Sequence, residues 1–128
     1  ITDGLADRLD GIGLDGSNPM ILNVSGKPRS LLELSREQLR PIRKKMLAPF
    51  GISFDAPNKV ALYLIGHNCV IMENFNDKAI SARLELPEPV GAKVALILPD
   101  EGNVDFTCTG RKLSFTEITP RTLIAVKY

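Results

Sequence analysis

The strongest constraint on the fold of this chain is a pair of apolar runs closed by a turn. Val60-Ala61-Leu62-Tyr63-Leu64-Ile65 and Cys69-Val70-Ile71-Met72-Glu73-Asn74 flank Gly66-His67-Asn68. Two runs of strand length around turn-forming residues predict a β-hairpin with a short loop. The first run is apolar at every position, so both of its faces are expected to be covered. A strand covered on both faces belongs inside a sandwich and not on a one-sided sheet. The pair is therefore expected at the centre of the core.

Downstream, strands and turn chemistry alternate. Ala79-Ile80-Ser81-Ala82-Arg83-Leu84-Glu85-Leu86 has period two, which turns Ile80, Ala82, Leu84 and Leu86 inward and Ser81, Arg83 and Glu85 to water. Lys93 to Leu98 forms a second apolar run. Segments 104–108, 112–115 and 122–127 follow, separated by Gly, Pro, Asn and Asp. Five to seven strands at this spacing predict a mainly β fold, an antiparallel β-sandwich, with one amphipathic helix at its N-terminal side. Burial in the apolar runs predicts that Leu62, Leu64, Leu96 or Leu98 to Ala each costs roughly 2–5 kcal/mol.

The helix is read between Ser35 and Leu47. Ser35 and Gln38 have the spacing of a capping box, in which each side chain satisfies the other's free backbone donor. Leu39, Ile42 and Met46 share one face, while Arg36, Arg40, Arg43, Lys44 and Lys45 are expected on a solvated one. Pro41 cannot donate a hydrogen bond, so it either kinks the helix or starts it. Before the helix, Leu5, Leu9 and Ile12 suggest a weak helix over 3–10, Met20 to Val24 reads as a strand, and Ser25-Gly26-Lys27-Pro28 as a turn.

Composition narrows the function classes. Sixteen basic against fifteen acidic residues leave a net charge of +1. That balance supplies no concentrated positive surface for nucleic acid. No run of about 18 apolar residues predicts a membrane span. The chain opens on Ile1 followed closely by Asp3 and Asp7, which is no signal peptide, and reads as a piece cut from something longer. Cys69 and Cys108 match no metal spacing and are read as buried free thiols, with a disulfide as the alternative.

Candidates for chemistry are few. His67 falls in the hairpin turn with no ligand or triad partner at a recognisable spacing. Glu73 and Asp77 flank one turn, Asp100 and Glu101 occupy another, and Glu117 lies in a loop, all ordinary places for solvated carboxylates. From Asp10, calcium-loop spacing puts Ile12 and Leu14 where oxygen ligands belong. Gly11 and Gly13 lack the context of a phosphate loop, and Asn23-Val24-Ser25 is a sequon too short to carry weight. No catalytic, cofactor-binding or metal residue is assigned, and no cofactor is expected. Tyr63, Phe75, Phe106 and Phe115 would be the stacking residues of a carbohydrate-binding module, yet their strand positions favour burial.

One larger pattern remains. The helix is followed by Pro49-Phe50-Gly51, Ala56-Pro57-Asn58-Lys59-Val60, the apolar hairpin and Glu73-Asn74-Phe75-Asn76-Asp77. The chain then closes on Gly110-Arg111-Lys112-Leu113 and Ile118-Thr119-Pro120-Arg121-Thr122-Leu123-Ile124. Over residues 33–128 this order resembles the carboxy-terminal β-sandwich appended to glycoside-hydrolase-like proteins of gut bacteria. The resemblance implies a non-catalytic accessory domain whose partner is a preceding catalytic barrel or another protein. It also implies a periplasmic or extracellular location, and residues 1–32 as a strap or the tail of a preceding domain. It further predicts an apolar surface patch where the barrel would dock.

Overall fold

The computed structural model describes residues 31–89, 93–99 and 102–128. The helix read over 3–10, the loop around Asp10 to Asp15, the strand over 20–24, the turn that follows and the sequon lie outside them. So do Asp100 and Glu101, and all but the last two residues of the strap.

A 3₁₀ turn at Leu31–Glu33 leads into helix α1, Arg36–Leu47, and a second 3₁₀ turn at Ala48–Phe50 ends it. Eight strands follow: β1 Ser53–Asp55, β2 Val60–Ile65, β3 Cys69–Asn74, β4 Ile80–Glu85, β5 Lys93–Leu98, β6 Phe106–Thr109, β7 Lys112–Ile118 and β8 Leu123–Lys127. They form two antiparallel four-stranded sheets, ordered β1-β4-β7-β6 and β2-β3-β8-β5. The mainly β sandwich is as expected, with one strand more than the upper count. The extra one is β1, three residues too short to declare itself by alternation.

The core lies between the sheets. Phe54, Ala82, Leu84, Leu113, Phe115 and Ile118 of the first sheet meet Val60, Val70, Met72, Ile124 and Val126 of the second. β4 alternates as read, with Ala82 and Leu84 buried and Ser81 and Arg83 exposed. The hairpin pairs Val60 with Asn74 through Ile65 with Cys69, closed by Gly66-His67-Asn68. Its position differs from expectation, because β2 is an edge strand and only β3 is internal. Leu62, Leu64 and Leu96 are half-buried at the rim and Leu98 is exposed, so the large truncation costs move to Leu84, Leu113 and Ile124.

Two polar devices join what the apolar core cannot. Asn74 is fully buried at the end of β3. Its amide Nδ2 donates to the carbonyls of Ile118 (2.9 Å), Thr119 (3.0 Å) and Lys78 (3.2 Å), and its Oδ1 accepts from the backbone and side chain of Asn76. One side chain thereby ties β3 to the ends of β4 and β7 and gives the buried Ile118 carbonyl a donor. The second device is α1. Its capping box is present, with Ser35 Oγ accepting from Gln38 N and Ser35 N donating to Gln38 Oε1. The helix starts at Arg36 and runs through Pro41.

The basic face of α1 corrects the solvated reading. Arg36 and Arg40 both grip Asp55 on β1 through Nε and Nη2, at 2.9–3.0 Å and 3.0–3.1 Å. Arg43 is half-buried, donates to the carbonyls of Ala56, Pro57 and Val60, and stands 4.9 Å over the Phe54 ring. Three of the five cations therefore face the sandwich, and only Lys44 and Lys45 are left to solvent. Of the apolar face, Leu39 and Ile42 are half-buried and Met46 is exposed.

Candidate docking surface

The two sheets present opposite chemistry to their surroundings. On the first, paired positions share a face, so Asp55, Arg83, Ser114 and Thr107 form one outward row and Ser53, Glu85, Lys112 and Thr109 the next. Every position in both rows is polar. On the second sheet, the central outward row is Tyr63, Ile71, Ala125 and Ala95. On one side of it lie Ile65, Cys69, Lys127 and Lys93, and on the other Ala61, Glu73, Leu123 and, across a register shift, Leu98. Nine of these twelve positions are uncharged and apolar or nearly so.

The wholly apolar run of β2 is thus explained by half. Val60, Leu62 and Leu64 face the core, but Tyr63 (42% exposed) and Ile65 (50%) face outward with no described residue over them. β5 repeats the pattern, with Val94 and Leu96 inward and Ala95 and Ile97 exposed. Four strands about 4.8 Å apart, each contributing five residues at about 3.4 Å, give a face of roughly 300 Å² in projection. An apolar face of that size matches the largest patch that an ordinary monomer exposes, and such patches are often functional. Tyr63 Oη donates to Glu73 Oε2 at 3.0 Å, and this bond holds the phenol proton and raises its pKa. The ring is thereby tied down across the face.

Among the described residues, those singled out for chemistry do not converge. His67 is exposed on the hairpin loop, Asp77 lies exposed in the β3–β4 turn and Glu117 is exposed on β7. Glu73 is half-buried and occupied by Tyr63. Among the described residues no three His, Cys, Asp or Glu side chains stand close enough to hold a metal ion, and no helix is long and apolar enough to cross a membrane. Cys69 and Cys108 are free thiols on different sheets. Neither is buried, against expectation: Cys69 is half-buried on the apolar outer face and Cys108 is exposed on edge strand β6.

Two findings were outside the reach of residue type and spacing. Phe115 is buried as expected, but Tyr63, Phe75 and Phe106 are exposed. Phe75 is the next outward position after Glu73 and keeps pairing with the strand opposite, its N–H donating to the Lys59 carbonyl. Asp55 is the other. Its hydrogen bonds from Arg36 and then Arg40 hold its carboxyl well below the usual carboxylate range. An open groove of about 490 Å³ beside it is lined by Arg40, Lys44, Glu85 and Arg111. Both of its acids sit on arginines, Glu85 accepting from Arg111 at 3.3 Å. A general acid at neutral pH needs a pKa displaced upward, and Asp55 is displaced the other way.

No protein-family model, curated protein or solved structure matches this chain.

Proposed function

We propose that this chain is a non-catalytic accessory β-sandwich domain of a larger carbohydrate-active, glycoside-hydrolase-like protein, and that it packs against or positions a catalytic domain through the outer face of its second sheet. The observation that carries this reading is the contrast between the two outer faces, one polar throughout and one mainly apolar. The resemblance over residues 33–128 supplies the identity of the partner, and with it a periplasmic or extracellular setting.

The test places Ile71→Glu together with Ala125→Lys in the polypeptide that carries this chain. Both side chains point outward, so the sandwich keeps its core. Limited proteolysis is expected to separate the variant domain from its neighbour while the wild type resists. Equal resistance would sink the reading, and so would glycan hydrolysis by the chain alone.

The exposure of Tyr63 and Phe75 on this same face favours a second reading, a carbohydrate-binding module with two aromatic platforms. Calorimetric titration with neutral oligosaccharides separates the two. Heat that disappears in Tyr63→Ala supports the module, and no heat across the panel supports the docking face.

A further inference from the structure

The described chain starts at the foot of a sheet edge that no described strand covers. Leu34 is buried, and the Leu32 carbonyl accepts from Asn58 Nδ2 at 2.8 Å, two residues before β2 begins. β2 is the last strand of its sheet, and its six residues carry no charge, no proline and no register shift. Such an edge is a template for a further strand. The other three edges are blunted. β1 is three residues long with α1 packed on it, and β6 has only four residues. β5 opens on Lys93, shifts register between Leu96 and Leu98, and runs into Pro99, which has no N–H.

The edge is open only beyond Val60. Arg43 donates to the Val60 carbonyl, which therefore points away from β3 and is occupied. Opposite it, Asn74 uses its own N–H and C=O on Thr122 and Arg121, away from β2. Backbone groups alternate along a strand, so the N–H and C=O of Leu62 and of Leu64 also point outward from the edge. The side chains of both leucines face the core but stay half-buried at its rim.

We propose that the chain's own Met20-Ile21-Leu22-Asn23-Val24, which lies outside the described residues, completes this sheet by pairing antiparallel with β2. Its place in the chain sets the direction. Only residues 25–30 separate Val24 from Leu31, and Leu32 is held beside Asn58. An antiparallel strand ends at the Val60 end of β2, where Leu31 begins. A parallel one would leave those residues about 17 Å of β2 to retrace, close to their full reach of about 20–24 Å, although Ser25-Gly26-Lys27-Pro28 is turn chemistry. The composition fits the edge, since the segment has no charge and no proline, and Leu22 and Val24 share one face as the rim leucines require. Arg43 then selects the register. Set opposite Val60, Val24 would find the carbonyl taken. Two residues further along, Val24 lies opposite Leu62 and Leu22 opposite Leu64, and each pair exchanges two N–H···O bonds. Gly26 then falls opposite Val60, inside the turn, where no ladder bond is needed. Ile21 and Asn23 join the outer face beside Ile65 and Tyr63. The pairing does not rest on the accessory-domain reading.

In this register Asn23 faces Tyr63 in a non-hydrogen-bonded pair with Cα atoms about 4.5 Å apart, within disulfide reach. The test uses the full 128-residue chain with Cys69→Ser and Cys108→Ser, carrying Asn23→Cys and either Tyr63→Cys or Ala95→Cys. Ala95 lies on the same outer face at the far edge, so it reports random collision. In an oxidising glutathione buffer the chain with Tyr63→Cys is expected to close its intrachain disulfide about tenfold faster, because pairing raises the local thiol concentration. Equal rates, no bond, or a bond formed only between two chains overturns the proposal. Hydrogen exchange followed by NMR reads the same pairing with Tyr63 and both native cysteines in place. The Leu62 and Leu64 amides should be protected in the wild type. Leu22→Pro, which removes a donor and blocks the ladder, should speed their exchange about tenfold or more and leave that of Tyr63, bonded to β3, unchanged. Fast exchange at Leu62 and Leu64 in the wild type, or protection that survives Leu22→Pro, overturns it as well.

Discussion

Asp55→Asn tests how α1 is held on the sandwich. The aspartate is 21% exposed and accepts two bonds from Arg36, itself 25% exposed, and two from Arg40, which is 55% exposed. Hydrogen bonds to charged groups contribute about 1.5–3 kcal/mol when shielded, and an exposed pair roughly 0–1. Arg36 is therefore assigned about 2–2.5 kcal/mol, and Arg40, open to solvent, adds little. The amide cannot answer two guanidinium forks, so the variant is expected to lose about 2–2.5 kcal/mol, or roughly 10 °C in Tm for a chain of this size. Because the folded carboxyl is displaced downward, its contribution is complete above the unfolded pKa of about 3.9 and fades as pH falls through it. The gap between wild type and Asp55→Asn, measured by urea unfolding, should be widest at pH 7 and narrow steadily from about pH 5 towards pH 2. Double-mutant cycles should give a larger coupling to Arg36 than to Arg40. A gap below about 0.5 kcal/mol at pH 7, or one that does not change with pH, would refute the reasoning.

Four other substitutions probe separate parts of the framework. Asn74→Ala strips the donor from the buried carbonyl of Ile118 and the part-buried one of Thr119 and should cost about 3–5 kcal/mol, read by urea unfolding, whereas an exposed asparagine would cost almost nothing. Leu84→Ala in the core should cost about 2–5 kcal/mol and Leu98→Ala, half-exposed on the outer face, less than about 1, so equal effects would mean that the core lies elsewhere. Gly51→Ala should lower Tm by several degrees, since Gly51 has φ +66° and an added Cβ would sit 3.1 Å from Pro87 Cβ, about 1–2 kcal/mol of strain.

Where local chemistry decides structure, the chain was readable. The capping box needs only Ser35 and Gln38 three residues apart, and the hairpin only its two runs and Gly66-His67-Asn68. β4 was legible because Ser81, Arg83 and Glu85 alternate with apolar residues on a face that water does reach. What stayed hidden depends on distant partners. Asp55 meets Arg36 and Arg40 across 19 and 15 residues, so the arginines looked like any solvated helix face. Asn74 stands in Glu-Asn-Phe-Asn-Asp, a composition that reads as a turn, although its amide is the most buried polar group described. An unbroken apolar run has a deeper ambiguity. It demands a cover on both faces, and residue pattern alone does not say whether that cover is the chain's own second sheet or another body. For β2 and β5 the described residues supply one of the two.

The size of the uncovered face bears on what kind of body supplies the other. Counting both partners, roughly 300 Å² on each side comes to about 600 Å², half or less of the 1,200–2,000 Å² typical of a stable interface between free proteins. Two freely diffusing molecules would have to recover their lost translational and rotational freedom, about 4–15 kcal/mol, from that limited contact. A domain on the same polypeptide meets the face at a millimolar effective concentration and avoids most of this cost. The patch therefore fits a tethered neighbour better than a diffusing one, which is the arrangement we propose. A direct consequence follows. On that proposal, cutting the chain between the sandwich and its neighbour should release the sandwich at micromolar concentration, as read by gel filtration. Retention after the cut would require an interface well beyond the outer face of β2, β3, β8 and β5.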